Sequence, residues 1–404
     1  MNLSNDIAVI GGGAAGFMAA ITAKETQNTA NVTIFEKTTK VLQKVKVSGG
    51  GRCNVTNATF SIAQLIKNYP RGGKKLKKSF NHFNTTDTIN WFKQKGVNLK
   101  TESDNRMFPE SNTSETIINI LEETTTNLDI KVSYNSKIKS IAPKEDKIEI
   151  SINNKVHTFD KVIIATGGSP KKEGLQWLSK LGYDILNPLP SLFTFNLPRN
   201  PITQLMGLSV LNATTSIKGS KFKQHGALLI THWGISGPSV LKLSAWGAEY
   251  LAKLKYDFTV QINWIGVNEE KLRSQFLLFE TSKKLIYKEN PFQIPKRLWH
   301  FILNKIEISK QQVWNSLSKK NRNRLINTLI NNELQVEGKT TFKEEFVTCG
   351  GISLSNIDMD TMESKLHKGI YFAGEVLNID GVTGGFNFQA AWTTGYLAGK
   401  NSAL

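Results

Sequence analysis

The stretch Asp6–Gly16, DIAVIGGGAAG, decides the fold of this chain. Its first half is a short apolar run, as in a parallel strand that is buried on both faces. Gly11, Gly13 and Gly16 then form a GxGxxG pattern in front of a helix-forming segment. Glycine at these positions permits a tight turn, a close approach of the backbone to a diphosphate, and close packing of helix on strand. The N–H groups at the helix start would face the negative phosphates.

A second strand-like segment, NVTIFE, ends at Glu36, 20 residues after Gly16. A carboxylate at this position accepts hydrogen bonds from both ribose hydroxyls and repels a 2′-phosphate. The β-α-β unit therefore predicts a binding site for the ADP part of a dinucleotide. The residues predicted to form it are Gly11, Gly13, Ala14, Ala15, Gly16, Glu36 and Lys37.

Two later segments favour FAD over NAD as this dinucleotide. VIIATGG, residues 162–168, is a buried strand with an ATG end that is typical of flavoproteins with two dinucleotide folds. In GIYFAGEV, residues 369–376, a carboxylate follows a strand and is placed to hold the ribityl chain. A helix that begins near residues 385–389 would face the pyrimidine edge of the flavin with its N–H groups and stabilise negative charge there. The contacts predicted from the two strand ends are Thr166, Gly167, Gly168, Gly374 and Glu375.

A chain of 404 residues is longer than one hydrophobic core usually supports, so we expect two or three domains. Hydrophobic residues make up 39% of it, as in a globular protein. The net charge is +18, and basic residues are spread along the chain. We interpret the densest basic run as a solvated surface and expect no nucleic-acid partner, with an anion-facing surface as the alternative. That run comprises Lys67, Arg71, Lys74, Lys75, Lys77 and Lys78.

Cysteine usage and hydropathy bear on the compartment. Cys53 and Cys349 form no CxxC pair, which argues against a disulfide framework or a dithiol relay and favours the reducing cytoplasm. Residues 7–23 carry no charge, but Asp6 precedes them and three consecutive glycines interrupt them. These features suit a buried strand, turn and helix, so we expect neither a signal sequence nor a membrane span.

Changes in composition and in hydrophobic pattern along the chain predict an α/β architecture in three parts. A helix is expected over residues 113–128, and strands over 130–159 with a hairpin turn at Asn153-Asn154. Prolines and alternating segments begin near Pro188 and predict antiparallel strands, whereas the Lys-, Asn- and Leu-rich residues 268–333 predict helices. The expected domains are a Rossmann-like FAD-binding domain of the two-dinucleotide-fold type (1–188 and 350–404), an inserted antiparallel β domain (189–265 and 334–349), and a small helical insert (266–333).

Three segments resemble the BaiN/RdsA-type FAD-dependent oxidoreductases, a family of flavoproteins that includes aminoacetone oxidase-like members and others labelled reductases. They are KVKVSGGGRCNVTN (44–57), THWGISGP (231–238) and YFAGEVLNIDGVTGGFNFQAAWTTGYLAG (371–399), and NRMFP (105–109) adds to them. The resemblance runs from about residue 6 to residue 400. It implies a non-covalently bound FAD, an inserted β domain and a small helical insert.

The resemblance also implies roles for individual residues. A first set would lie along the pyrophosphate and the ribityl chain: Lys46, Ser48, Gly49, Gly50, Gly51, Arg52, Cys53 and Asn54. A second set would surround the flavin ring: Glu375, Asp380, Gly385, Phe386, Asn387 and Gln389. Asn105, Phe386 and Cys349 depart from the family pattern, where Gly, Tyr and a small residue are usual. Whether Cys53 contacts the flavin or only fills space stays open at this point.

Two residues are candidates for catalysis. His232 lies in the Thr-His-x-Gly-x-Ser-Gly-Pro loop, which by the resemblance should close over the flavin, and the ordinary pKa of histidine suits proton transfer near neutrality. The alternative is that His232 orders its own loop through hydrogen bonds. Arg106 is a candidate to bind an anionic group of the substrate, with a structural ion pair as the alternative. The other five histidines have no ligand-like spacing, and we predict no metal site.

The leading functional prediction is an enzyme that transfers a hydride between a small organic substrate and flavin N5, as an oxidase of a small amine or amino-ketone with O₂ as acceptor. In the first alternative, NAD(P)H reduces the flavin, which then reduces an organic acceptor. The chain lacks a second GxGxxG-plus-carboxylate unit, which argues against a dedicated NAD(P) domain but not against transient nicotinamide binding. In the second alternative an FAD-dependent enzyme acts on RNA, and in the third the flavin serves a sensor. The sequence leaves the substrate, the electron donor, the acceptor and the oligomeric state open.

Overall fold

A computed structural model describes residues 5–341 and 347–404, which form two compact units. The first unit comprises residues 5–191 and 347–404, and the second comprises residues 192–341. Residues 1–4 of the predicted FAD domain and 342–346 of the predicted β domain lie outside the described residues. The division differs from the predicted one, because residues 185–191 pair with residues 347–352 within the first unit.

Strands and helices follow one another along much of the chain. Up to residue 191 they are β1 (Asp6–Ile10), α1 (Ala14–Thr26), β2 (Asn31–Phe35), α2 (Gln43–Gly51), β3 (Thr56–Asn57), α3 (Ile62–Leu65), α4 (Gly73–Phe80), α5 (Thr85–Gln94), β4 (Leu99–Thr101), β5 (Arg106–Pro109), α6 (Glu115–Asn127), β6 (Lys131–Ser133), β7 (Ile138–Pro143), β8 (Ile148–Ile152), β9 (Lys155–Phe159), β10 (Lys161–Ile164), α7 (Gln176–Ser179) and β11 (Ile185–Ser191). The second unit contains β12 (Thr194–Asn196), β13 (Ser209–Ile217), β14 (Lys223–Ile230), β15 (Gly234–Ser236), α8 (Pro238–Trp246), α9 (Ala248–Lys253), β16 (Asp257–Asn263), α10 (Glu269–Leu277), α11 (Lys296–Lys305), α12 (Lys319–Ile330), β17 (Asn332–Glu337) and β18 (Lys339–Thr340). The chain then forms β19 (Val347–Ile352), β20 (Ile370–Phe372) and α13 (Phe386–Ser402).

The first unit is organised around a five-stranded sheet in the order β20-β10-β1-β2-β6, and all its strand pairs are parallel. β1 lies at its centre, and Ile7, Ala8 and Val9 are completely buried. This position confirms the prediction of a strand that is buried on both faces. A central strand in a parallel sheet has neighbours on both edges and helices on both faces, which is why its sequence is continuously apolar.

The helices α1 and α13 pack against each other through small residues. A Cβ atom at Gly395 would lie 2.6 Å from the carbonyl oxygen of Ala15, and one at Gly399 would lie 2.2 Å from that of Ala19. The two glycines are four residues apart and therefore lie on one face of α13. Their missing side chains let the backbones of the first and last helices of this unit approach closely.

Smaller elements of the first unit follow the predicted pattern. The segment β7-β8-β9 forms an antiparallel sheet, and its hairpin turn is made by Asn153 and Asn154 with φ angles of 47° and 67°. Two successive positive φ angles are those of a type I′ turn, which asparagine tolerates better than most residues. The helix predicted over 113–128 is α6.

The second unit contains a seven-stranded sheet in the order β17-β16-β13-β14-β15-β12-β18, and the strand pairs of this sheet are antiparallel. Within residues 189–265, where antiparallel strands were predicted, the structure also contains the helices α8 and α9. Pro238 occupies the first turn of α8, where proline is favoured, so this proline starts a helix and does not break one. The predicted helical insert supplies α10, α11 and α12, whose buried faces share one core with the sheet.

None of the helices in the described parts of the chain is both long enough and apolar enough to span a bilayer.

Candidate functional site

The predicted dinucleotide residues meet at one edge of the parallel sheet. Gly11 follows β1, Glu36 follows β2, Thr166 comes two residues after β10, and Gly374 comes two residues after β20. Because these strands are parallel, their carboxyl ends lie along the same edge, which is where open α/β sheets bind ligands.

The three glycines of the first turn have different surroundings. Gly11 has a φ of +116°, and a Cβ there would lie 2.3 Å from the carbonyl oxygen of Ala165. A Cβ at Gly16 would lie 1.9 Å from the carbonyl oxygen of Gly11, inside the contact between α1 and the turn. At Gly13, the N-terminal flanking residue of α1, a Cβ would meet no atom within 4 Å in the part of the chain that the structure describes. Gly11 and Gly16 therefore serve the fold, whereas Gly13 and the half-buried Ala14 leave the helix start open to a ligand, with Ala15 buried behind them.

The carboxylate of Glu36 is oriented by backbone N–H groups. Its Oε2 accepts a hydrogen bond from the N–H of Gly12 at 2.9 Å, and its Oε1 accepts one from the N–H of Thr38 at 2.9 Å. The side chain is half-buried, and Lys37 beside it is exposed. Glu36 is thus held at the rim of the glycine turn, at the position expected of a group that binds ribose hydroxyls.

The glycine-rich loop after β2 needs glycine for conformational reasons. Gly49, Gly50 and Gly51 have φ angles of 59°, 69° and 82°, and Ser48 before them is extended. A Cβ at Gly50 or Gly51 would meet no atom of residues 5–341 or 347–404 within 4 Å, so the left-handed backbone disfavours other residues there. Lys46 lies on the preceding turn of α2, and its ammonium pairs with Glu115 at 3.0 Å.

Arg52 and Arg106 belong to one ion-pair network. The carboxylate of Glu102 forms ion pairs with the guanidinium groups of Arg52 and Arg106, with N–O distances of 2.6 and 3.1 Å. Asp104 also pairs with Arg106, at 2.7 Å. The guanidinium of Arg52 also lies 4.0 Å from the centre of the Phe108 ring. For Arg106 the structure shows the ion pair that was the alternative to substrate binding. The guanidinium of Arg52, predicted to lie along the cofactor, is directed at Glu102.

Cys53 is completely buried, and burial raises the pKa of its thiol to about 12 against the opposing effect of a hydrogen bond with Ser48. Such a thiol stays protonated near neutral pH and is a poor nucleophile. Packing is the role that its surroundings support. Asn54 beside it bridges two segments when its amide is oriented to satisfy both neighbours: it then donates to the carbonyl of Thr56 at 3.0 Å and accepts from the N–H of Gly385 at 2.9 Å.

The start of α13 is shaped by glycine and by polar side chains that bind protein groups. A Cβ at Gly385 would lie 2.4 Å from the carbonyl oxygen of Thr56. The amide of Asn387 bridges the N–H and the carbonyl of Gly381 at 2.8 and 3.0 Å, and buried Gln389 accepts from the hydroxyl of Thr56 at 2.6 Å. These side chains position the loop before α13, and their contact with the flavin stays a prediction. What the helix start offers a ligand is its first N–H groups, which lack acceptors within the helix.

Asp380 is held by two residues that the sequence did not indicate as site residues. Its side chain is completely buried, its two oxygens bind the guanidinium of Arg71, and it accepts a hydrogen bond from the hydroxyl of Ser191 at 2.8 Å. Burial raises the pKa of Asp380 above its ordinary value, and the nearby Arg71 opposes this. The carboxylate anchors the loop before α13, and Phe386 is held similarly, since its carbonyl accepts from the hydroxyl of Tyr69 at 2.7 Å.

Glu375 and Thr348 line the remaining strand end. Glu375 accepts from the N–H of Thr348 at 2.8 Å and pairs with Lys44 at 2.6 Å. Gly168 lies close by, because a Cβ there would lie 2.6 Å from Oε1 of Glu375 and 2.5 Å from Oγ1 of Thr348. The hydroxyl of Thr348 is buried and has no hydrogen-bond partner among the described residues. A buried hydroxyl without a partner carries a desolvation cost that a bound ligand would relieve.

The remaining predicted residues support the same edge. Gly374 has a φ of +75°, and its N–H donates to the hydroxyl of Thr394 on α13 at 2.8 Å. Gly167 has a φ of +74°, and Thr166 before it is exposed. Together with the open turn at Gly13 and the unpartnered hydroxyl of Thr348, these groups fit FAD: N–H groups for a diphosphate, a carboxylate for ribose, and polar groups along a ribityl chain.

We predict that Thr348→Val weakens FAD binding by about three- to tenfold while leaving the cofactor-free protein as stable or slightly more stable. Valine has the same shape, so it removes a hydrogen bond worth roughly 1 kcal/mol to the bound cofactor and also removes an unsatisfied hydroxyl from the empty site. Fluorescence titration of the cofactor-free protein with FAD, and its thermal melting, measure the two effects. Loss of stability without loss of affinity would show that Thr348 serves the fold alone.

His232 lies in the second unit, between β14 and β15, and is exposed. Its ring contacts that of Trp233 edge to face, with centroids 4.4 Å apart. Its proposed part in proton transfer stays a prediction.

A sequence model of the family described as HI0933-like protein Rossmann domain matches residues 5–401. The chain is 25% identical to the 3-dehydro-bile acid delta(4,6)-reductase of Clostridium scindens, over 99% of each chain. It is 28% identical to the ribosomal RNA dihydrouridine synthase of Haemophilus influenzae, over 96% of each. Among solved structures, the 3-ketosteroid delta1-dehydrogenase of Sterolibacterium denitrificans has a TM-score of 0.55 at 10% identity, over 99% of each chain, which is a likeness of fold.

Proposed function

The chain belongs to the HI0933-like family of Rossmann-domain flavoproteins, and from that premise we propose that it reduces carbon–carbon double bonds that are conjugated with a carbonyl group. It is an FAD-dependent oxidoreductase. The finer proposal concerns what it reduces, and with which electrons.

The chemistry shared by the two relatives supports a reductase. A 3-dehydro-bile acid with delta-4 and delta-6 double bonds has those bonds conjugated with its 3-keto group, and uridine has a ring double bond conjugated with a carbonyl. In both cases the product gains two hydrogens across a double bond that a carbonyl polarises. One reaction type therefore covers two substrates that differ greatly in size and charge.

The site can support this reaction with the chain's own groups. When bound, FAD supplies hydride transfer. The first turn of α13 presents N–H groups and the positive end of the helix dipole, which stabilise negative charge at the cofactor ring. Asn54, Asp380 and Asn387 hold the segments around that helix start, so its N–H groups are positioned before any ligand arrives. Preorganised donors of this kind need little reorganisation during the reaction.

We propose NAD(P)H as the electron donor. Oxidation of NAD(P)H to NAD(P)⁺ releases a hydride, and the acceptor takes up that hydride equivalent at one carbon and a proton from solvent at the other. The burial of Cys53 supports a route that uses no thiol near the glycine-rich loop.

For the acceptor we propose uridine in ribosomal RNA. The identity of 28% to a ribosomal RNA dihydrouridine synthase supports it, as does the net charge of +18, which suits a polyanionic partner better than a small neutral one. This proposal replaces the expectation, drawn from composition, that nucleic acid is not a partner.

An anaerobic experiment tests the proposal. NADPH or NADH is expected to bleach the flavin within seconds, and an unmodified ribosomal RNA transcript is expected to restore its colour, with mass spectrometry showing two added hydrogens on a uridine. A transcript in which the modified uridine is replaced by cytidine serves as the control. Rapid bleaching by aminoacetone, with none by either nicotinamide, would favour the small-amine oxidase instead.

A further inference from the structure

Residues 37–86 contain 11 Lys and Arg residues and not one Asp or Glu. This stretch of 50 residues thus contributes +11 of the net charge of +18, although it is about an eighth of the chain. The rest of the chain contains 40 Lys and Arg residues (51 − 11) against 33 Asp and Glu residues. A single-sign stretch of this length repels itself unless something of opposite charge is near it.

The charge is most concentrated on α4. Leu76 and Phe80 of this helix are buried, and four lysines face solvent: Lys74, Lys75, Lys77 and Lys78. Lys78 lies 3.3 Å from Asp360. The ammonium groups of Lys74, Lys75 and Lys77 form no ion pair with any carboxylate among the described residues. The helix therefore carries a solvent-facing surface, here called the α4 lysine surface, of at least three unneutralised charges.

The segment before α4 is bonded to the loop that leads into α13. The hydroxyl of Tyr69 donates to the carbonyl of Phe386, Arg71 binds Asp380, and the N–H of Val382 donates to the carbonyl of Asn68 at 2.8 Å. The α4 lysine surface therefore belongs to the same rigid framework as the start of α13. A partner bound there would be held in a constant relation to the flavin site.

We propose that the α4 lysine surface is the docking site for the phosphate backbone of the RNA substrate, an inference that rests on the proposed function. Lysine ammonium groups act as point charges for phosphate, without the base-edge geometry of arginine. The aromatic residue within the run, Tyr69, is 3% exposed and cannot stack on a base. The surface therefore binds backbone without reading sequence, and recognition of the target uridine falls to the flavin site.

An anionic membrane is the competing partner for a lysine-rich helix. Interfacial helices combine a basic face with an apolar face that enters the lipid. The apolar side chains of α4, Leu76 and Phe80, are completely buried in the protein, so they are not available to enter a lipid layer. The surface therefore fits a polyanion that is met from solvent.

The test compares two triple variants of equal charge in the full-length protein. K74Q/K75Q/K77Q removes the proposed contacts, whereas K310Q/K319Q/K320Q removes three exposed lysines elsewhere that likewise form no ion pair in the described residues. Fluorescence anisotropy with a labelled ribosomal RNA fragment, from 50 to 300 mM salt, gives the affinity and its salt dependence. The visible spectrum of each variant reports whether it is folded and loaded with FAD.

We expect K74Q/K75Q/K77Q to bind the fragment at least about tenfold more weakly at low salt, and its slope of log affinity against log salt to fall by about 2, as for three lost phosphate contacts. The control should match the wild type. Equal weakening in both variants, or none in either while the wild type binds RNA, would overturn the docking site and leave the proposed function standing. Failure of the wild type to bind or reduce RNA would refute the proposed function itself. Retention on vesicles of anionic phospholipid that is lost only in K74Q/K75Q/K77Q, without RNA binding, would assign the surface to a membrane and overturn the proposal.

Discussion

Gly16→Ala protein is expected to purify with less than about a tenth of the wild-type flavin and to melt at a lower temperature. The added methyl group would lie 1.9 Å from the carbonyl oxygen of Gly11, and both groups belong to the backbone contact between α1 and the turn. Because neither can rotate away, α1 must move from the sheet, and overpacking of this kind costs roughly 1–3 kcal/mol or more. The same movement displaces the N–H groups that would bind the diphosphate. Absorbance at 450 nm per protein and a thermal melt measure the two effects.

Gly13→Ala is the matched control for this substitution. Gly13 has an extended backbone with φ of −99°, which alanine adopts freely, and a Cβ there meets no atom of the described residues within 4 Å. The cofactor-free protein should therefore keep its melting temperature, while FAD binds more weakly because the methyl group lies in the path of the diphosphate. If Gly13→Ala binds FAD as tightly as the wild type does, the diphosphate does not cross this turn and the site must be sought elsewhere on the sheet edge.

Arg71→Leu is expected to destabilise the protein by about 3–5 kcal/mol, the usual cost of leaving one partner of a buried ion pair unneutralised. Asp380 is completely buried, and after the substitution its carboxylate would keep the hydrogen bond from the hydroxyl of Ser191 but lose the positive charge that neutralises it. The loop before α13 would lose its anchor, so FAD content should fall as well. Urea denaturation followed by tryptophan fluorescence measures the stability.

The loss caused by Arg71→Leu should depend on pH. Burial raises the pKa of Asp380, and removing Arg71 takes away the main opposing effect, so the pKa in the folded variant rises further above its ordinary value of 3.8. Between the ordinary pKa of 3.8, which applies to the unfolded chain, and the raised pKa of the folded variant, Asp380 is protonated in the folded state and ionised in the unfolded state. The stability of the variant therefore falls as pH rises through this range. The difference in stability between wild type and variant should therefore be smaller at pH 5 than at pH 8.

The double variant R71L/D380N separates charge from packing. It removes the buried carboxylate together with its partner, and it should recover most of the stability lost in Arg71→Leu and remove the pH dependence. If Arg71→Leu alone is as stable as the wild type, or if its deficit grows towards acid pH, the buried pair does not have the role assigned to it.

The ADP half of the site could be predicted from the sequence because it lies in one contiguous segment. Strand, glycine turn, helix and strand follow each other within residues 6–36, so the spacing of Gly11, Gly16 and Glu36 determines where they lie in space. The glycine-rich loop at 49–51 was recognisable for the same reason, since its left-handed backbone is a property of the local chain.

For the flavin half, the sequence indicated the region, and the structure adds the protein partners of its side chains. Asn387 and Gln389 were expected to face the ring, and the structure shows their amides bound to Gly381 and Thr56. Arg106 was left between a substrate contact and an ion pair, and the structure shows the ion pair. A residue type at a motif position indicates that a polar group is needed there, without indicating whether a ligand or a neighbouring loop receives its hydrogen bond.

The sequence by itself determined the first β-α-β unit and its glycine turn, because these depend on residues within a few positions of one another, and the ends of two later strands indicated the cofactor. Tertiary structure alone decided the pairs that complete the site. Arg71 meets Asp380 across 309 residues, Lys44 meets Glu375 across 331, and the hydroxyl of Thr348, beside Gly168, has no hydrogen-bond partner within residues 5–341 and 347–404. No periodicity links residues so far apart, since their contact depends on how separate strands are arranged in the sheet, and only the folded chain brings their side chains within reach.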